Sequence, residues 1–435
     1  MKLKLLFSLP FLAFFASCSS DSPNSPSNGN SSGSSSIENV KFECGKAGTA
    51  DMEVDSIIRI TYNNGSAPTI ENSEGKKVEN ASGDTVKVIA NSDTVTIVIN
   101  GEDVVVDAPK AKTQYNFIVS GTTTNGSLKI DGSHRIGLYL NKVNITNPRG
   151  PAINIQNGKR ISVYLAGENS LSDGLGWTPD SSKKATFFSE GSLVFQGGGL
   201  LEVKGKSSHA IVSDGYFKIQ NGCITIPEAE RDGIHANDTI IVEGGTINII
   251  SKGDAIQSER LNVKVSGGRI AANTKGVKSH GIASAGSTSI SMNAEIKLNV
   301  SGDGSKGIRS KNDMKIEGGT IDIHTSGGRH IDDSKEDTTS NAAGIKADGN
   351  LSIEGGSLTI KSTGDKSKGI NIDGNMSMIG GHINIEANDD GIKVTGTLTV
   401  TGGSGTVASR RKSAIDCSGA NIENIKKFLT LREGS

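Results

Sequence analysis

A repeat built around a pair of glycines recurs through most of the chain. It reads I-I-V-E-G-G-T-I-N-I-I at 240–250 and returns as M-K-I-E-G-G-T-I-D-I-H at 314–324 and L-S-I-E-G-G-S-L-T-I-K at 351–361. A recurring step of about two dozen residues indicates a solenoid of stacked coils and not a closed globule. The second glycine of each pair, or the residue in its place, falls at Gly199, Gly222, Gly245, Gly268, Ala294, Gly319, Gly356, Gly381 and Gly403.

Within each repeat every second residue is apolar, as at Val242, Ile247 and Ile249. This alternation predicts strands with one dry face, because successive side chains of a strand point to opposite sides. One coil has too few apolar residues for a core, so the coils must stack about 4.8 Å apart. The 56 glycines argue against helices, and propeller blades would need about 40 residues per repeat. We therefore predict an all-β fold, a right-handed single-stranded parallel β-helix.

Composition limits the partners. A net charge of −1 argues against nucleic acid, and one Trp among 4% aromatic residues leaves no large platform for stacking sugars. We expect a monomer. If Cys18 is consumed by processing, an odd set of Cys44, Cys223 and Cys417 remains. We expect each of these to be a free thiol, with a single bridge as the alternative.

The first residues are typical of a bacterial export signal. Lys2 and Lys4 precede a short apolar run, and Phe15-Ala16-Ser17-Cys18 resembles a lipobox. We expect residues 1–17 to be a lipoprotein signal peptide and Cys18 to be lipidated. Residues 18–36 are almost entirely Ser, Asn, Gly and Pro, which predicts a flexible tether. The protein would then be exported and anchored by lipid to the bacterial envelope, at the outer membrane or cell surface; the alternative is an ordinary signal peptide.

The remaining chain divides into three predicted parts. Residues 37–112 read as an N-terminal β region and cap, residues 113–420 as the parallel β-helix, and residues 421–435 as a short C-terminal capping helix. The helix is indicated by apolar residues at helical spacing, namely Ile422, Ile425, Phe428 and Leu429. Two polar loops interrupt the repeat, at Ser170–Ala185 with Trp177 and at Gly327–Ala343 with Asp332, Asp333, Glu336 and Asp337. Long loops on a regular solenoid are common places for function.

A column of polar residues is predicted on one face of the helix. After each strand pair comes an apolar residue that we take as inward, and its neighbour then points outward. A cationic column on a regular pitch suits a chain of carboxylated sugars, and a solvated polar face is the alternative. The aligned inward residues are Ile234, Ile256, Val277, Ile308, Ile345, Ile370, Ile392 and Ile415, and their outward neighbours are His235, Gln257, Lys278, Arg309, Lys346, Asn371, Lys393 and Asp416. We predict substrate binding by His235, Gln257, Lys278, Arg309, Lys346, Lys393 and Trp177.

Acidic residues flank this column in the turns. Carboxylates from adjacent coils would offer Ca²⁺ the six to eight oxygens that it requires, whereas the alternative is that each Asp only bonds its own backbone in an Asx turn. We predict Ca²⁺ as the cofactor. The predicted ligands are Asp232, Asp238, Asp254, Glu259, Asp303, Asp348, Asp365, Asp373 and Asp390.

Catalysis is not singled out by any spacing. No Ser–His–Asp, HExxH, P-loop or CxxC pattern is present, and the many acids do not select a pair for glycoside hydrolysis. Elimination from a uronan would use Ca²⁺ and a Lys or Arg base with a lowered pKa. The candidates by position are Lys278, Lys306, Arg309, Lys346, Lys368 and Lys393.

Three runs carry a resemblance to a known family. They are I-S-V-Y-L-A-G-E-N-S-L-S-D-G, F-F-S-E-G-S-L-V-F-Q-G-G-G-L-L-E-V and D-G-I-H-A-N-D-T-I-I-V-E-G-G-T-I-N-I-I-S-K-G-D-A-I. From about Asp84 to Gly419 the chain resembles secreted bacterial carbohydrate-binding parallel β-helix proteins of cellulolytic anaerobes, which are akin to Ca-dependent pectate lyases. The resemblance implies calcium sites, with Asp232, Asp238 and Asp254 at matching positions. It also implies binding of plant-cell-wall polysaccharide, including acidic pectic chains.

The leading hypothesis is therefore a cell-surface lipoprotein that binds acidic pectic or cellulosic chains with Ca²⁺ assistance. A Ca-dependent uronan or pectate lyase is the first alternative. A surface adhesin or scaffold without a sugar site is the second.

Overall fold

The computed structural model describes residues 39–45, 57–72, 85–90, 93–108, 114–332 and 339–434. The predicted signal peptide, Cys18 and the tether lie outside these residues. The described chain is almost entirely β-structure, arranged as a parallel β-solenoid of about 13 turns, which confirms the predicted fold class. No helix in the described part of the chain has the length and apolar character that a membrane span requires.

One sheet of 23 strands, the wide sheet, receives two strands from most coils. The two strands of a coil are joined at the glycine pair, so that β19 (Ile240–Val242) and β20 (Thr246–Ser251) flank Gly244 and Gly245. The strands of the wide sheet are β1 (Ile57–Asn63), β2 (Thr69–Glu71), β6 (Tyr115–Thr123), β8 (Ile136–Asn147), β10 (Ile161–Ala166), β11 (Glu168–Asp173), β13 (Leu193–Gln196), β14 (Leu200–Gly205), β16 (Phe217–Ile219), β17 (Cys223–Ala229), β19 (Ile240–Val242), β20 (Thr246–Ser251), β22 (Val263–Thr274), β24 (Thr288–Val300), β26 (Met314–Ile316), β27 (Thr320–Thr325), β31 (Leu351–Ile353), β32 (Ser357–Ser362), β34 (Met376–Met378), β35 (His382–Ala387), β37 (Leu398–Val400), β38 (Ser404–Ser409) and β40 (Leu429–Glu433).

A second sheet of 15 strands, the narrow sheet, begins with three antiparallel strands between Thr85 and Ala108 and then receives one strand from each coil. A separate antiparallel pair, β28 (His330–Ile331) and β29 (Thr339–Ser340), lies in the second long loop. The strands of the narrow sheet are β3 (Thr85–Ala90), β4 (Asp93–Asn100), β5 (Asp103–Ala108), β7 (Leu128–Gly132), β9 (Ile153–Gln156), β12 (Ala185–Ser189), β15 (His209–Ser213), β18 (Ile234–Ala236), β21 (Ile256–Ser258), β23 (Ile282–Ser284), β25 (Lys306–Ser310), β30 (Ala343–Ala347), β33 (Lys368–Ile372), β36 (Ile392–Val394) and β39 (Ile415–Asp416).

Isoleucines stacked in register form the core behind the narrow sheet. Ile234 pairs with Ile256, and Ile256 with Ile282, and all three side chains are fully buried. Burying each such side chain contributes about 1.5–3 kcal/mol. Because every coil supplies the same row, the row continues through Ile308, Ile345, Ile370 and Ile392.

The glycine pair turns the chain between two strands of the wide sheet. Gly245 has φ +76°, and a Cβ at this position would lie 2.7 Å from the carbonyl oxygen of Gly222 in the coil below. Glycine is therefore required both by the backbone conformation and by the close coil contact. Ala294 replaces glycine in one coil, where β24 runs through the position as one strand of 13 residues.

The solenoid starts earlier and ends differently than the sequence predicted. β1 pairs in parallel with β6, and β5 with β7, so the parallel ladder begins well before residue 113. At the other end the helix is only Ile422–Ile425. The chain then extends into β40, which pairs in parallel with β38. The short helix was predicted correctly, but its extension over Phe428 and Leu429 was wrong, because Phe428 lies in a turn and Leu429 begins a strand that adds a further rung to the wide sheet.

Residues 39–45, the N-terminal strap, lie across the wide sheet. Cys44 forms a disulfide with Cys223 of β17, with a Cα–Cα distance of 5.8 Å. The expectation that both cysteines are free thiols was therefore wrong, and the alternative of a single bridge is confirmed. Their separation of 179 residues gives no sequence signal for pairing. Cys417 is free.

Candidate functional site

The outward face of the narrow sheet carries the predicted polar column, which we call the face column. Its members are His235, Gln257, Ala283, Arg309, Lys346, Asn371, Lys393 and Asp416, paired coil by coil. The prediction was wrong at one coil, where Ala283 and not Lys278 takes the place. Val277, assumed to point inward, is 54% exposed. Lys278 lies in the preceding turn at φ +55°, with its Nζ 3.4 Å from Asp332.

A second column runs along the leading edge of the same sheet, two residues before each inward isoleucine. This edge column consists of His209, Asp232, Asp254, His280, Lys306, Ala343, Lys368 and Asp390. Several side chains accept a hydrogen bond from the backbone N–H of the next member. Asp232 Oδ1 accepts from the N–H of Asp254 at 2.9 Å, and His280 Nδ1 accepts from the N–H of Lys306 at 3.0 Å. These titratable side chains are largely buried, and the hydrogen bonds hold them in fixed orientations.

The two columns meet in a histidine–carboxylate cluster near the first long loop. Asp232 Oδ2 lies 3.2 Å from His209 Nδ1 and 3.0 Å from His235 Nδ1. The other ring nitrogen of His235, Nε2, lies 3.1 Å from Glu259 Oε2, and Gln257 Oε1 lies 3.1 Å from Nδ1. Within the described ranges, His209, Asp232 and His235 form the only group of three potential metal-ligating side chains whose ligand atoms all lie within 4.8 Å.

Burial and charge act in opposite directions on this cluster. Burial disfavours the charge on Asp232, but hydrogen bonds from His209 and His235 outweigh it and hold the pKa of Asp232 far below its usual value. Burial likewise opposes the charge on His235, yet Asp232 and Glu259 raise its pKa. Asp254, in contrast, has its pKa raised to about 7 by burial and by the neighbouring charge of Asp232.

An open groove of about 470 Å³ lies over the cluster. Its lining includes Pro179 to Ser181 of the first long loop, together with Arg231 and Arg260. Trp177, predicted to bind sugar, does not line this groove. Its indole N–H donates to Asp173 Oδ2 at 2.8 Å, and so it fastens the loop to the solenoid.

A basic cluster lies further along the same face, under the second long loop. Lys306 is 6% exposed, and its Nζ donates to the carbonyl oxygen of Gly304 at 2.5 Å and to Ser340 Oγ at 2.6 Å. Burial, and then the charges of Arg309 and Lys346, lower the pKa of Lys306 to about 8. Of the acidic residues predicted in this loop, Asp333, Glu336 and Asp337 lie outside the described residues.

The carboxylates predicted to bind Ca²⁺ do not converge on one point. Asp254 accepts a hydrogen bond from the N–H of His280, and Asp238 is half-buried beyond β18. Among the residues that the structure describes, no three carboxylates have ligand atoms within 4.8 Å of one another, and calcium binding stays a prediction. The others face a basic group or a backbone N–H: Asp348 and Asp373 with Lys346, Asp365 with Arg411, Asp390 with Lys368, Glu259 with His235, and Asp303 with Gly328.

The sequence interpretation missed His209 as a site residue. The signal was present, because His209-Ala-Ile, Asp232-Gly-Ile, Asp254-Ala-Ile and His280-Gly-Ile share one pattern. A polar residue two positions before an inward isoleucine lies on the same side of the coil in each repeat. Aligning the residues two positions before each inward isoleucine would therefore have placed His209 beside Asp232.

Over residues 91–367 the sequence matches the family described as carbohydrate-binding domain-containing protein. The chain belongs to this family. The matched residues include both the histidine–carboxylate cluster and the basic cluster, and the prediction of a carbohydrate-binding parallel β-helix is confirmed at this level. No curated protein matches the chain. A solved structure of a polysaccharide lyase-like protein from C. thermocellum, a gadolinium derivative, is similar with 17% identity and a TM-score of 0.36, covering 80% of this chain and 99% of that chain.

Proposed function

We propose that the chain is a cell-surface lipoprotein that binds acidic plant-wall polysaccharide along the outward face of the narrow sheet. The observation that carries the proposal is the face column, in which Arg309, Lys346 and Lys393 lie on coils of one regular stack. Stacked coils are about 4.8 Å apart, so these cations lie at multiples of one pitch, with Arg309 and Lys346 on adjacent coils and Asn371 between Lys346 and Lys393. A polyuronate presents carboxylates at a regular pitch, which is the complementary pattern.

The charge pairs on this face favour exchange of partners on binding. Lys346 Nζ lies 2.5 Å from Asp373 and 3.4 Å from Asp348, and both carboxylates are exposed. The Lys346 side chain is 12% exposed, so the cation is held in place while its acidic partners are open to solvent. A sugar carboxylate that replaces Asp373 or Asp348 would keep this largely buried cation paired. The Arg231 and Arg260 rim of the groove adds two further exposed cations on the same face.

The lipid anchor and calcium are further parts of the proposal. The export signal and Cys18 support the anchor. Asp303 and Asp348 support calcium assistance, because they are exposed carboxylates beside the column and carboxylate oxygens are the ligands that Ca²⁺ prefers. Replacing Cys18 by Ala should move the protein from the membrane fraction to the soluble fraction; an unchanged distribution would contradict the anchor.

Retention on immobilised polygalacturonate tests the binding face. Arg309→Gln/Lys346→Gln should weaken retention at least about tenfold, since each charge-assisted hydrogen bond contributes about 1.5–3 kcal/mol. The matched control is Lys218→Gln/Lys315→Gln, which removes two ion-paired lysines from the wide sheet and should leave retention unchanged. Parallel columns with Ca²⁺ and with chelator measure calcium assistance, and cellulose replaces polygalacturonate to measure the need for acid groups. Equal retention of both variants would exclude the face column as the site.

A uronan lyase is the second candidate function, and Lys306 favours it. A Lys with a lowered pKa beside Arg309 and Lys346 has the properties of a base that removes a proton next to a carboxylate held by cations. Polygalacturonate incubated with the chain would then yield unsaturated products, detected by their ultraviolet absorbance, at a rate that rises through a pH of about 8. Lys306→Arg keeps the charge but cannot deprotonate, and should abolish the product while retaining binding. Absence of product with the unmodified chain would leave binding as the function.

A further inference from the structure

The outward row of the narrow sheet changes character between β15 and β18. From His235 onward this row is the polar face column. In the two coils before it, the same row consists of Phe188 and Val212, which are 0% and 1% exposed. An outward-facing apolar side chain is buried only where another part of the chain lies over it. The narrow sheet is therefore covered at β12 and β15.

The first long loop provides this cover. Residues 180–183 form a tight turn whose two ends exchange backbone hydrogen bonds of 3.0 and 3.1 Å. The carbonyl oxygen of Ser182 in this turn accepts hydrogen bonds from Asn154 Nδ2 at 3.2 Å and from Gln156 Nε2 at 2.9 Å. Both donors belong to β9, so the turn is fastened to the outward face of the narrow sheet.

Lys184 continues the cover from the turn to the end of β15. Its Nζ lies 5.5 Å from the centroid of the Phe188 ring and 2.7 Å from Asp214 Oδ1. Residues 180–184, which we call the loop wall, thus cross the sheet and are held by contacts at both sides. A long ligand that lies along the face column meets the loop wall at the coil of His235.

The open groove of about 470 Å³ lies at the foot of the loop wall, because its lining includes both Asp180 and His235. Arg231 and Arg260 line the same groove. Both arginines are exposed, and neither has an ion-pair partner in the part of the chain that the structure describes. A guanidinium group binds a carboxylate through two parallel hydrogen bonds. The groove therefore offers two available cations to an acidic ligand at the closed end of the face column.

We propose that this groove is a terminal subsite, which binds the end unit of a uronate chain whose following units lie along the face column. The inference rests on the proposed function and adds to it that acidic polysaccharide is bound at a chain end. An internal unit in the groove would require the chain to continue through the loop wall, whereas an end unit does not. Arg309 lies three coils beyond His235, about 14 Å at 4.8 Å per coil, so one short chain can contact the groove and the face column together.

Calorimetric titration of the full chain with polygalacturonate hydrolysed to two mean lengths tests the subsite. At equal uronate concentration, halving the mean chain length doubles the number of ends. We therefore expect about twofold more protein to be bound at saturation. Equal saturation at both lengths would show binding along the chain, and would overturn the terminal subsite while the proposed function stands. Absence of binding at both lengths would overturn the proposed function as well.

Arg231→Gln/Arg260→Gln should weaken the binding of short oligogalacturonates at least about tenfold, since each charge-assisted hydrogen bond contributes about 1.5–3 kcal/mol. Arg135→Gln/Arg160→Gln is the matched control. It removes two exposed arginines from the turns that follow β7 and β9, where the face column does not extend, and it should bind as the unmodified chain does. Equal affinity of the two double variants would exclude the groove as the terminal subsite.

Discussion

The side-chain amide of Asn248 pairs with both backbone polar groups of Phe42. Its Nδ2 donates to the carbonyl oxygen of Phe42 at 2.9 Å, and its Oδ1 accepts from the N–H of Phe42 at 2.8 Å. One coil further on, Asn273 makes the same two bonds to Val40, each at 2.8 Å. Asn248 and Asn273 thus pair with the backbone of the N-terminal strap as a neighbouring strand would, and they hold the strap across the wide sheet.

Asn248→Ala should loosen the strap around Phe42 without unfolding the solenoid, while the Cys44–Cys223 disulfide keeps the strap attached. Two hydrogen bonds are lost and the backbone groups of Phe42 lose their partners, which costs about 1–3 kcal/mol locally. Hydrogen exchange at residues 39–45 should therefore accelerate by about tenfold or more, while exchange in β20 stays slow. Asn384→Ala is the control, since Asn384 lies in the same row of the wide sheet and is exposed. Equal exchange of the strap in both variants would contradict the asparagine pairing.

Local periodicity was sufficient to predict the solenoid, because every coil repeats the same alternation and the same glycine turn. The error at Lys278 has a physical cause. Between Gln257 and Ala283 the chain makes a wider turn, which carries the exposed Val277 and Lys278 at φ +55°. Counting a fixed number of residues from the previous coil therefore assigns Val277, an apolar residue of the turn, to the row of inward residues. Only the backbone pairing of Ile256 with Ile282 resolves which residue enters the strand.

Contacts between distant parts of the chain were beyond the reach of sequence reasoning. The bond from Cys44 to Cys223 and the pairing of Asn248 with Phe42 join segments about half the chain apart. Neither the strap nor its partners has a local pattern, since a lone Asn on an outward row is typical of any solvated face. The histidine–carboxylate cluster could be predicted in part, because its residues occupy the same position of successive repeats once the coils are aligned.

Gly391→Ala should destabilise the solenoid by about 1–3 kcal/mol. A Cβ at Gly391 would lie 2.5 Å from Val407 Cγ1 and 2.6 Å from the carbonyl oxygen of Ala414. Both are fixed parts of the packed interior, so the added methyl group forces the coils apart. Urea unfolding followed by circular dichroism measures the change. Gly158→Ala is the control, because a Cβ there meets nothing within 4 Å. Equal stability of the two variants would show that the interior can absorb the methyl group.

Removing the charge of Asp254 and removing that of Asp232, its neighbour in the edge column, should change the free energy of unfolding in opposite directions. The pKa of Asp254 is raised to about 7, so its contribution to stability is complete below the unfolded value near 3.8 and is lost as the pH rises to about 7. At pH 8 the buried charge is a cost. Asp254→Asn removes that cost and keeps the oxygen that accepts from His280. At 1.36 kcal/mol per pKa unit, the variant should gain on the order of 2–4 kcal/mol at pH 8 and nothing at pH 4.

Asp232→Asn is the matched comparison, measured in chelator so that metal binding does not contribute. The pKa of Asp232 is lowered by His209 and His235 in spite of burial, so its charge contributes stability above the unfolded pKa, and this contribution is lost as the pH falls through the folded pKa. The variant should therefore be less stable than the unmodified chain at neutral pH, and the difference should shrink in acid. Chemical unfolding from pH 2 to pH 8 gives both curves, with the loss for Asp232 expected below the unfolded value near 3.8. If the two variants change the free energy of unfolding in the same direction at pH 8, the assignment of a raised pKa to Asp254 and a lowered pKa to Asp232 is wrong.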